Sequence, residues 1–429
     1  SGGIFKKSLR YQPLTLTTLT ALAPADMDIE FTLIDEGIED LPDHINADLV
    51  GMTVITGTAP RAYELSAKLR AQGITVVLGG PHITLMPAEA QPNADAICVG
   101  YAEQSWPQLL RDMAAGTLQK RYDQGADFNL DDPVIPDRHL LNKRHYITQA
   151  VFEATRACAH ACEFCVVPSA WGRKQYQKPV EHVAADIKAF GKKRNIFIDL
   201  NLISDRRYAR ELFTALIPLR IKWFGLVTSI IGRDIELMDL MAQSGCSGVL
   251  IGFESISDTA LGGMRKGFND PSLYAGLIDQ LHKRNISIYG CFVFGLDEDT
   301  PDVFDRTAAF AIDAGIDLPR FAIQTPFPGT PLYNRLNTEG RILHRDWEKY
   351  DGQHVVFQPK GMSIQELQEG HVRAWQTVYS RRNTLKRLVK SRTQLPVSIL
   401  ANTGYRYYAN HLDTHYTCDW PIGYEAKAS

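Results

Sequence analysis

Apolar runs of strand length alternate with amphipathic stretches of helix length over residues 1–125. The apolar runs occupy residues 29–34, 47–55, 74–78 and 96–99. Strands that alternate with helices and end at glycines are typical of a parallel doubly wound sheet, which binds its ligand beyond the carboxyl ends of its strands. The pattern therefore predicts an α/β, Rossmann-like first domain over residues 1–125. No first strand precedes the apolar segment 14–22, which raises the question whether the natural amino terminus is missing.

The alternation stops over residues 126–148, which are rich in Asp, Pro and Asn and predict a linker. It resumes with six candidate strands at 151–155, 196–200, 224–229, 248–253, 287–294 and 320–325. Strands separated in this way by helix-length stretches indicate a partial (β/α)6, TIM-like barrel over residues 149–345. Beyond that point helical periodicity predicts a small, mainly helical C-terminal cap over residues 346–429.

Length and charge narrow the class of protein. A chain of 429 residues is longer than a single domain with one hydrophobic core usually is, so several domains are expected. A composition of 45% hydrophobic and 22% charged residues is typical of a soluble globular protein. The formal net charge of -3 lacks the basic excess that nucleic-acid binding requires, so no nucleic-acid partner is expected. No apolar run of membrane-spanning length and no secretion signal are present. We therefore expect a cytoplasmic protein without a transmembrane segment.

The cysteines indicate iron–sulfur chemistry. Of seven in all, Cys158, Cys162 and Cys165 lie together, whereas Cys98, Cys246, Cys291 and Cys418 are scattered. In a reducing compartment this favours metal ligation over disulfides. Three thiolates can each bind one iron of a [4Fe-4S] cluster and leave the fourth iron open. A zinc site with His160 as fourth ligand is the alternative, although zinc sites usually have paired C-x-x-C units.

The cysteines form the pattern C-x-x-x-C-x-x-C with Phe164 before the last one, and this motif resembles the radical SAM (S-adenosylmethionine) superfamily. The resemblance implies that Cys158, Cys162 and Cys165 hold a [4Fe-4S] cluster and that SAM binds its open iron. Asp199-Leu-Asn201 departs from the family's usual Gly-Gly-Glu, which puts its contacts with the SAM amino group in doubt. The SAM-binding positions that the resemblance implies are Phe164, Asp199, Asn201, Ser229, Glu254, Ser255, Gly295 and Thr325.

The first domain is similar to the cobalamin-binding domain that precedes the barrel in one radical SAM subfamily. The resemblance rests on LVGMT at 49–53 with TGT at 56–58, VLGGPH at 77–82 and VGYAE at 99–103. A glycine stands at position 37, where methionine-synthase-type domains have a cobalt-binding histidine, so no histidine ligand is expected from this loop. The implied cobalamin-binding residues are Thr53, Thr56, Gly57, Thr58, Arg61, Gly79, Gly80, Pro81, His82, Gly100 and Glu103.

These resemblances imply a cobalamin-dependent radical SAM C-methyltransferase that acts on an unactivated carbon of a small molecule. A radical cyclase, rearrangement or oxidation enzyme without methyl transfer is the alternative, and a redox-sensing protein is a third possibility. The expected partners are a small-molecule substrate and an external electron donor such as flavodoxin or ferredoxin. RNA methylthiolation is disfavoured because only Cys98 precedes Cys158. The sequence does not reveal the substrate or a catalytic acid or base.

Overall fold

A computed structural model describes residues 11–412 of the chain. The amino-terminal part contains a four-stranded parallel sheet in the order β1-β2-β3-β4. The strands are β1 (Leu49–Thr53), β2 (Thr75–Gly79), β3 (Ala96–Val99) and β4 (Arg121–Asp123). The helices are α1 (Leu14–Ala21), α2 (Ala59–Ala71), α3 (Pro81–Leu85), α4 (Pro87–Ala90) and α5 (Ser105–Ala114).

Helices cover this sheet on both faces, which explains its continuous apolar strands. Val76 and Leu78 of β2 pack with Leu69 of α2 on one face. Val77, between them, packs with Trp106 of α5 on the other. A strand that alternates its side chains between two cores is buried throughout, and the predicted doubly wound, Rossmann-like class of this part is confirmed.

The strand predicted at residues 29–34 does not form, and this expectation was wrong. Residues 28–35 have no regular secondary structure, and β1 is the edge strand of the described sheet. Ile29 and Phe31 instead pack against the side chains around Trp106. The apolar alternation is therefore satisfied by packing alone, because among the described residues no neighbouring strand supplies a hydrogen-bonding ladder for this segment.

The second sheet has six parallel strands in the order β12-β11-β10-β9-β8-β5. Its two outer strands are not paired with each other, so the barrel is open on one side, as the partial-barrel prediction requires. The strands are β5 (Val151–Phe152), β8 (Arg194–Phe197), β9 (Lys222–Val227), β10 (Cys246–Glu254), β11 (Ser287–Phe294) and β12 (Leu318–Ile323). Two short antiparallel strands follow β5: β6 (Thr155–Arg156) and β7 (Tyr176–Gln177).

Helices surround this barrel because alternate strand residues are buried outwards, against the helices. Trp223 of β9 is fully buried and stacks on Phe213, with ring centroids 5.3 Å apart. The helices are α6 (Val166–Trp171), α7 (Val180–Phe190), α8 (Arg206–Leu216), α9 (Ile235–Gln243), α10 (Asp258–Gly263), α11 (Pro271–Lys283), α12 (Val303–Ala314) and α13 (Pro331–Thr338).

The C-terminal part is helical and packs on the last barrel strand, in agreement with the sequence pattern. It contains α14 (Ile364–Val378), α15 (Arg381–Ser391) and α16 (Leu395–Ala409). A capping box between Ser363 and Glu366 begins α14. Trp375 of α14 donates a hydrogen bond to the Phe321 carbonyl of β12 at 3.0 Å, which ties the cap to the barrel. Among residues 11–412 no helix is both long and apolar enough to span a bilayer.

Candidate functional site

The three clustered cysteines lie in one loop beyond the carboxyl end of β5. The loop runs from β6 to α6, with Cys162 buried and Cys158 and Cys165 partly exposed. Within the described residues no three His, Cys, Asp or Glu side chains converge on a single metal position. A cubane has a different requirement, since each thiolate binds a different iron. Three cysteines from one loop can meet that requirement without converging on a single point.

Burial disfavours the ionised form of two thiols of this loop, those of Cys162 and Cys165. Burial raises the pKa of the Cys165 thiol to about 11, and it also raises the pKa of Cys162. The ammonium of Lys266 acts in the opposite direction on both. Both thiols must lose their protons to bind iron, so higher pH should favour loading of the cluster.

A buried ion pair, missed by sequence reasoning, lies beside the cysteines. Lys266 Nζ is 2.5 Å from Glu254 Oε1, and both side chains are about 90% buried. Glu254 ends β10 in a left-handed conformation, with φ of 61°, where the register of the strand shifts. The ammonium also lies 5.9 Å from the centre of the Phe164 ring. One short helix separates Lys266 from Glu254 in the sequence, but this spacing by itself does not indicate that the two side chains meet.

Polar side chains order the backbone at the end of β10. Asn269 Nδ2 donates to the carbonyl oxygens of Gly252 and Phe253, both at 2.9 Å. Its Oδ1 accepts a 2.5 Å hydrogen bond from Ser229 Oγ. Ser229 and the end of β10, predicted to be SAM-binding from separate segments, are thus linked through one amide. Asn269 was not predicted.

Asp199 binds the backbone that leads into the cysteine loop. Its buried carboxylate accepts hydrogen bonds from the backbone of Ala154 at 3.1 Å and from both the backbone and the hydroxyl of Thr155. Burial raises the pKa of Asp199 to about 7, and the carboxylate of Glu153 acts in the same direction. Asn201 Oδ1 accepts from the amide of Ile203 at 3.4 Å. Asp199 is therefore engaged with the segment that follows β5, and the Oδ1 of Asn201 with its own loop.

The remaining predicted SAM positions lie at the carboxyl ends of β10, β11 and β12. The backbone N–H of Ser255 donates to Phe253, and Thr325 Oγ1 donates to the Ile323 carbonyl at 3.1 Å. Gly295 has φ of +90°, and a Cβ there would lie 2.8 Å from Leu367. Its N–H donates to the buried carboxylate of Asp299 at 3.0 Å, which holds the turn. These residues share one edge of the sheet.

Glycines form the turns at the carboxyl ends of the first sheet. Gly80 has φ of +99°, and a Cβ there would lie 2.7 Å from the backbone nitrogen of Val54. Gly100 has φ of +88° and adjoins Gln124. Gly79 differs, because an added Cβ would make only an ordinary 3.6 Å contact with Cys98. Thr53 Oγ1 lies beside Gly80, and residues Thr56–Thr58 form a turn of 3-10 helix ahead of α2.

His82 belongs to a buried hydrogen-bond network. Its Nδ1 lies 3.3 Å from Thr56 Oγ1, and its Nε2 lies 3.2 Å from Glu89 Oε1. The same carboxylate accepts from Tyr63 and from Trp347, the latter at 3.1 Å. Both ring nitrogens are used, as expected of a histidine that supports the local turn. Burial works against ionisation of Glu89, but the hydrogen bonds outweigh it and lower its pKa.

Two further predicted cobalamin residues form ion pairs. Arg61 Nη2 lies 2.8 Å from Glu36 Oε1, next to Gly37. Glu103 contacts Arg156 of β6, whose Nε also lies 2.9 Å from Glu153 Oε2. Glu103 therefore joins the first sheet to the strand that begins the cysteine loop.

Aromatic rings strengthen this junction. Tyr101, from the loop after β3, stacks on Trp171 of α6 at 5.6 Å and 6° between planes. It also stacks on Phe128 at 4.9 Å. Helix α3, which begins after Gly80, contacts α6, which begins after Cys165. The carboxyl edge of the first sheet thus lies against the cysteine loop.

Comparisons with protein families match three regions of the chain. Residues 13–110 match the B12 binding domain, residues 152–311 the radical SAM superfamily and residues 330–412 a domain of unknown function. Bacteriochlorophyllide d C-12(1)-methyltransferase of Chlorobaculum tepidum is 31% identical, over 88% of this chain and 84% of its own length. The C-8(2)-methyltransferase of the same organism is 33% identical, over 80% of each chain.

Solved structures support the fold. The radical S-adenosylmethionine methyltransferase TsrM of Kitasatospora setae, with cobalamin and a [4Fe-4S] cluster bound, matches with a TM-score of 0.58 at 18% identity, over 68% of this chain and 67% of its own. The cobalamin-dependent S-adenosylmethionine radical enzyme OxsB matches with a TM-score of 0.59 at 14% identity, over 82% of this chain and 63% of its own.

Proposed function

Because this chain belongs to the family of cobalamin-binding radical SAM enzymes, we propose that it is a C-methyltransferase that acts on an unactivated carbon of a small molecule. One observation carries the proposal: the glycine turns of the first sheet lie against the cysteine loop of the barrel. A reaction that uses both a corrinoid and SAM on one substrate needs their sites to share one chamber. Two domains whose cofactor sites faced away from each other could not carry out such a reaction.

The chain has residues that fit each group. Cys158, Cys162 and Cys165 would hold a [4Fe-4S] cluster, and the Glu254–Lys266 pair lies beside them where SAM would bind. When bound, the cluster supplies the electron that cleaves SAM, and the corrinoid supplies the methyl group that is transferred. The protein itself binds, orients and excludes water.

Glu254 and Lys266 are suited to the polar ends of SAM. We expect the carboxylate to accept hydrogen bonds from ribose hydroxyls or the SAM ammonium, and the ammonium of Lys266 to face the SAM carboxylate. In the absence of SAM the two side chains neutralise each other, which avoids leaving either charge buried alone. Asp199, Asn201, Ser229, Ser255, Gly295, Phe164 and Thr325 would support this pocket through the backbone and ring contacts described above.

The glycines and hydroxyls of the first sheet would receive the corrinoid. Gly79, Gly80 and Gly100 present no side chains at the carboxyl edge of the sheet, and Pro81 begins the helix that follows Gly80. The same edge is bordered by Thr53, Thr56, Gly57 and Thr58. His82 is tied to Thr56 and Glu89, so we propose that the protein supplies no histidine ligand to cobalt. The electron paramagnetic resonance spectrum of the cob(II)alamin form should lack nitrogen splitting and be unchanged in His82→Ala. A nitrogen triplet lost in that variant would refute this assignment.

The relatives suggest the substrate class. Two of them are methyltransferases named for bacteriochlorophyllide d, and we propose that this chain also methylates a tetrapyrrole. A cavity of about 3480 Å³, which includes the barrel interior, has room for a molecule of that size.

We further propose that the chain is divided into domains at residues 1–125, 149–345 and 346–429. We also propose that an external flavodoxin or ferredoxin is the reductant and that the protein is located in the cytoplasm.

Isotope labelling tests the reaction. The holoenzyme is incubated anaerobically with a chemical reductant, SAM labelled in its methyl group and a panel of chlorophyll precursors. Methyl transfer predicts a labelled product together with 5'-deoxyadenosine. An unlabelled, cyclised or oxidised product would support the alternative reaction class, and a protein that never cleaves SAM under strong reduction would be a redox sensor instead.

A further inference from the structure

Arg320 is a cation inside the barrel. It is a residue of β12 whose side chain points to the concave face of the sheet, as shown by the alternation of more and less buried residues along that strand. It is partly buried and lines the large cavity together with residues of β9, β10 and β11. A guanidinium in such a position has little access to bulk solvent.

Within the described part of the chain the guanidinium of Arg320 has no hydrogen-bond or ion-pair partner, unlike the more deeply buried Arg138 and Arg387. Among residues 11–412 no hydrogen-bond acceptor and no carboxylate contacts its guanidinium, and the ionisable groups that act on it are tyrosines and Cys291. By contrast, Arg138 is paired with Asp186 at 2.9 Å, and Arg387 donates to the Asp317 carbonyl at 2.7 Å. A partly buried cation with five free donors has room for a bidentate anion.

The walls around Arg320 are apolar and aromatic. Phe224, Leu226 and Leu250 line the cavity from β9 and β10, and Tyr289 lies across from Phe224 with ring centroids 4.7 Å apart. Tyr405 of α16 closes the side next to β12. These walls suit a large, flat, apolar molecule, and the Arg320 guanidinium suits a carboxylate at its edge, whereas Lys222 of the same cavity is exposed.

Strand register places this cation close to the proposed SAM pocket. Arg320 pairs with Cys291, which pairs with Gly252, so the three lie in one row across the sheet. Because the register of β10 shifts at this point, Glu254 pairs with Phe292, the residue directly after Cys291, and lies one step beyond this row. The thiol of Cys291 experiences the charges of Arg320, Glu254 and Lys266 together. A molecule held at Arg320 therefore reaches the region where SAM would be cleaved.

We propose that Arg320 anchors a carboxylate of the substrate, and that the substrate is a bulky, flat, apolar molecule with at least one acidic side chain. This inference rests on the proposed function and deepens it. The anchor fixes one edge of the molecule in the barrel, so that a carbon remote from the carboxylate is presented to the SAM pocket. Arg320 is thus a specificity-determining residue, and Tyr405 and Tyr289 position the ring system beside it.

Binding of a chlorin with one carboxylate tests the anchor without turnover. Pyropheophorbide a and its methyl ester are titrated anaerobically into the holoenzyme, with fluorescence of the chlorin as the readout. The wild-type protein should bind the acid about 10- to 100-fold more tightly than the ester, since a charge-assisted bidentate contact is lost on esterification. This comparison requires no variant to fold.

Variants then assign the preference to one residue. Arg320→Gln should abolish the preference for the acid while leaving ester affinity within about twofold, and Arg320→Lys should retain part of it, because an ammonium keeps the charge but not the bidentate geometry. Lys222→Gln is the matched control, since Lys222 lines the same cavity but is exposed. Iron and corrinoid contents report whether each variant is intact.

Each other outcome overturns the proposal. Equal affinity of the wild type for acid and ester, failure of both to bind, or a preference for the acid that persists in an intact Arg320→Gln protein would each refute the anchor. Failure of the proposed function is distinguishable, because it would appear as absence of labelled methyl transfer with every substrate, whether or not the chlorin acid binds.

Discussion

Adjacent glycines at the end of β2 differ in the constraint that the fold places on them. Gly80 combines a left-handed φ of +99° with a position 2.7 Å from backbone for any added Cβ, whereas Gly79 has neither restriction. A sequence motif shows both as the same residue. The difference arises from the crossing of the chain at Val54, which only the folded structure contains.

Alanine at these two positions should therefore have different effects. Gly80→Ala should destabilise the first sheet by about 1–3 kcal/mol because of strain at positive φ, and should lower corrinoid retention while iron content stays near normal. Gly79→Ala, the matched control, should unfold like the wild type. Urea unfolding followed by corrinoid absorbance measures both. Equal loss of iron and corrinoid in Gly80→Ala would mean that the damage spreads beyond the first sheet.

Cysteine substitutions separate ligands from core residues. Replacing Cys158, Cys162 or Cys165 with alanine should abolish cluster loading and SAM cleavage, because a cubane then has only two thiolate ligands. Cys246, which is fully buried in the barrel core, is the control, and Cys246→Ala should keep iron content near the wild-type value. Iron and sulfide analysis after anaerobic reconstitution measures this. Loss of the cluster in Cys246→Ala would contradict the ligand assignment. Cys418 lies outside the described residues.

At the scale of elements, the end of β8 determines the conformation of the cysteine loop. Asp199, just beyond that strand, accepts the backbone N–H groups of Ala154 and Thr155, which follow β5. A strand end that satisfies the donors of its neighbour fixes where the loop begins. The start of the loop is thus held by an adjacent element, whereas the turn at the cysteines also has a hydrogen bond of its own, from the Cys165 N–H to the Cys162 carbonyl.

The buried carboxylate of Asp199 makes this junction pH-dependent. Its folded pKa of about 7 lies above the ordinary value, so the folded state holds a proton that the unfolded state releases, and stability falls as pH rises from about 4 to about 7. In Asp199→Asn this contribution is absent, while one oxygen still accepts most of the hydrogen bonds. Unfolding free energies measured from pH 5 to pH 8 should show wild-type stability declining relative to the variant. A constant difference would argue against a raised pKa.

At the scale of the whole molecule, one arginine connects the two sheets. Arg156 lies between Glu103 of the first sheet and Glu153 of the barrel, and all three side chains are less than 20% exposed. The stacked rings of Tyr101 and Trp171 cover this ion cluster. Two faces that would hold different cofactors are therefore joined by charges with little solvent screening.

Removing this arginine should be costly. Arg156→Ala leaves the buried carboxylate of Glu103 without its cation, while Glu153 keeps Lys178 at 3.2 Å, and the change should lower the free energy of unfolding by about 3 kcal/mol. The double variant Arg156→Ala, Glu103→Gln should recover part of that loss. Arg111, in an exposed ion pair with Asp26, is the control, and its removal should have little effect. Denaturant unfolding measures the series, and a small effect of Arg156→Ala would mean that the packed rings alone hold the junction.

Period and spacing in the sequence determined the two parallel sheets, the six barrel strands and the grouping of three cysteines, because these features depend on local side-chain alternation and on short-range ligand geometry. The sequence determined the ends of the strands less well. The strand predicted at 151–155, for example, is only two residues long in the structure, Val151–Phe152. The strand expected at 29–34 failed for a related reason, since apolar alternation indicates burial but cannot supply a hydrogen-bonding neighbour.

Only the tertiary structure decided which polar groups meet. Lys266 beside Glu254, Asn269 beneath Ser229, and Glu103 against Arg156 are contacts between segments that turns and strand order bring together. Arg320 is the clearest case. In the sequence it is one charged residue in an apolar strand. That no partner for it lies among residues 11–412 becomes visible only in the folded barrel, because pairing of charges depends on three-dimensional neighbours and not on position along the chain.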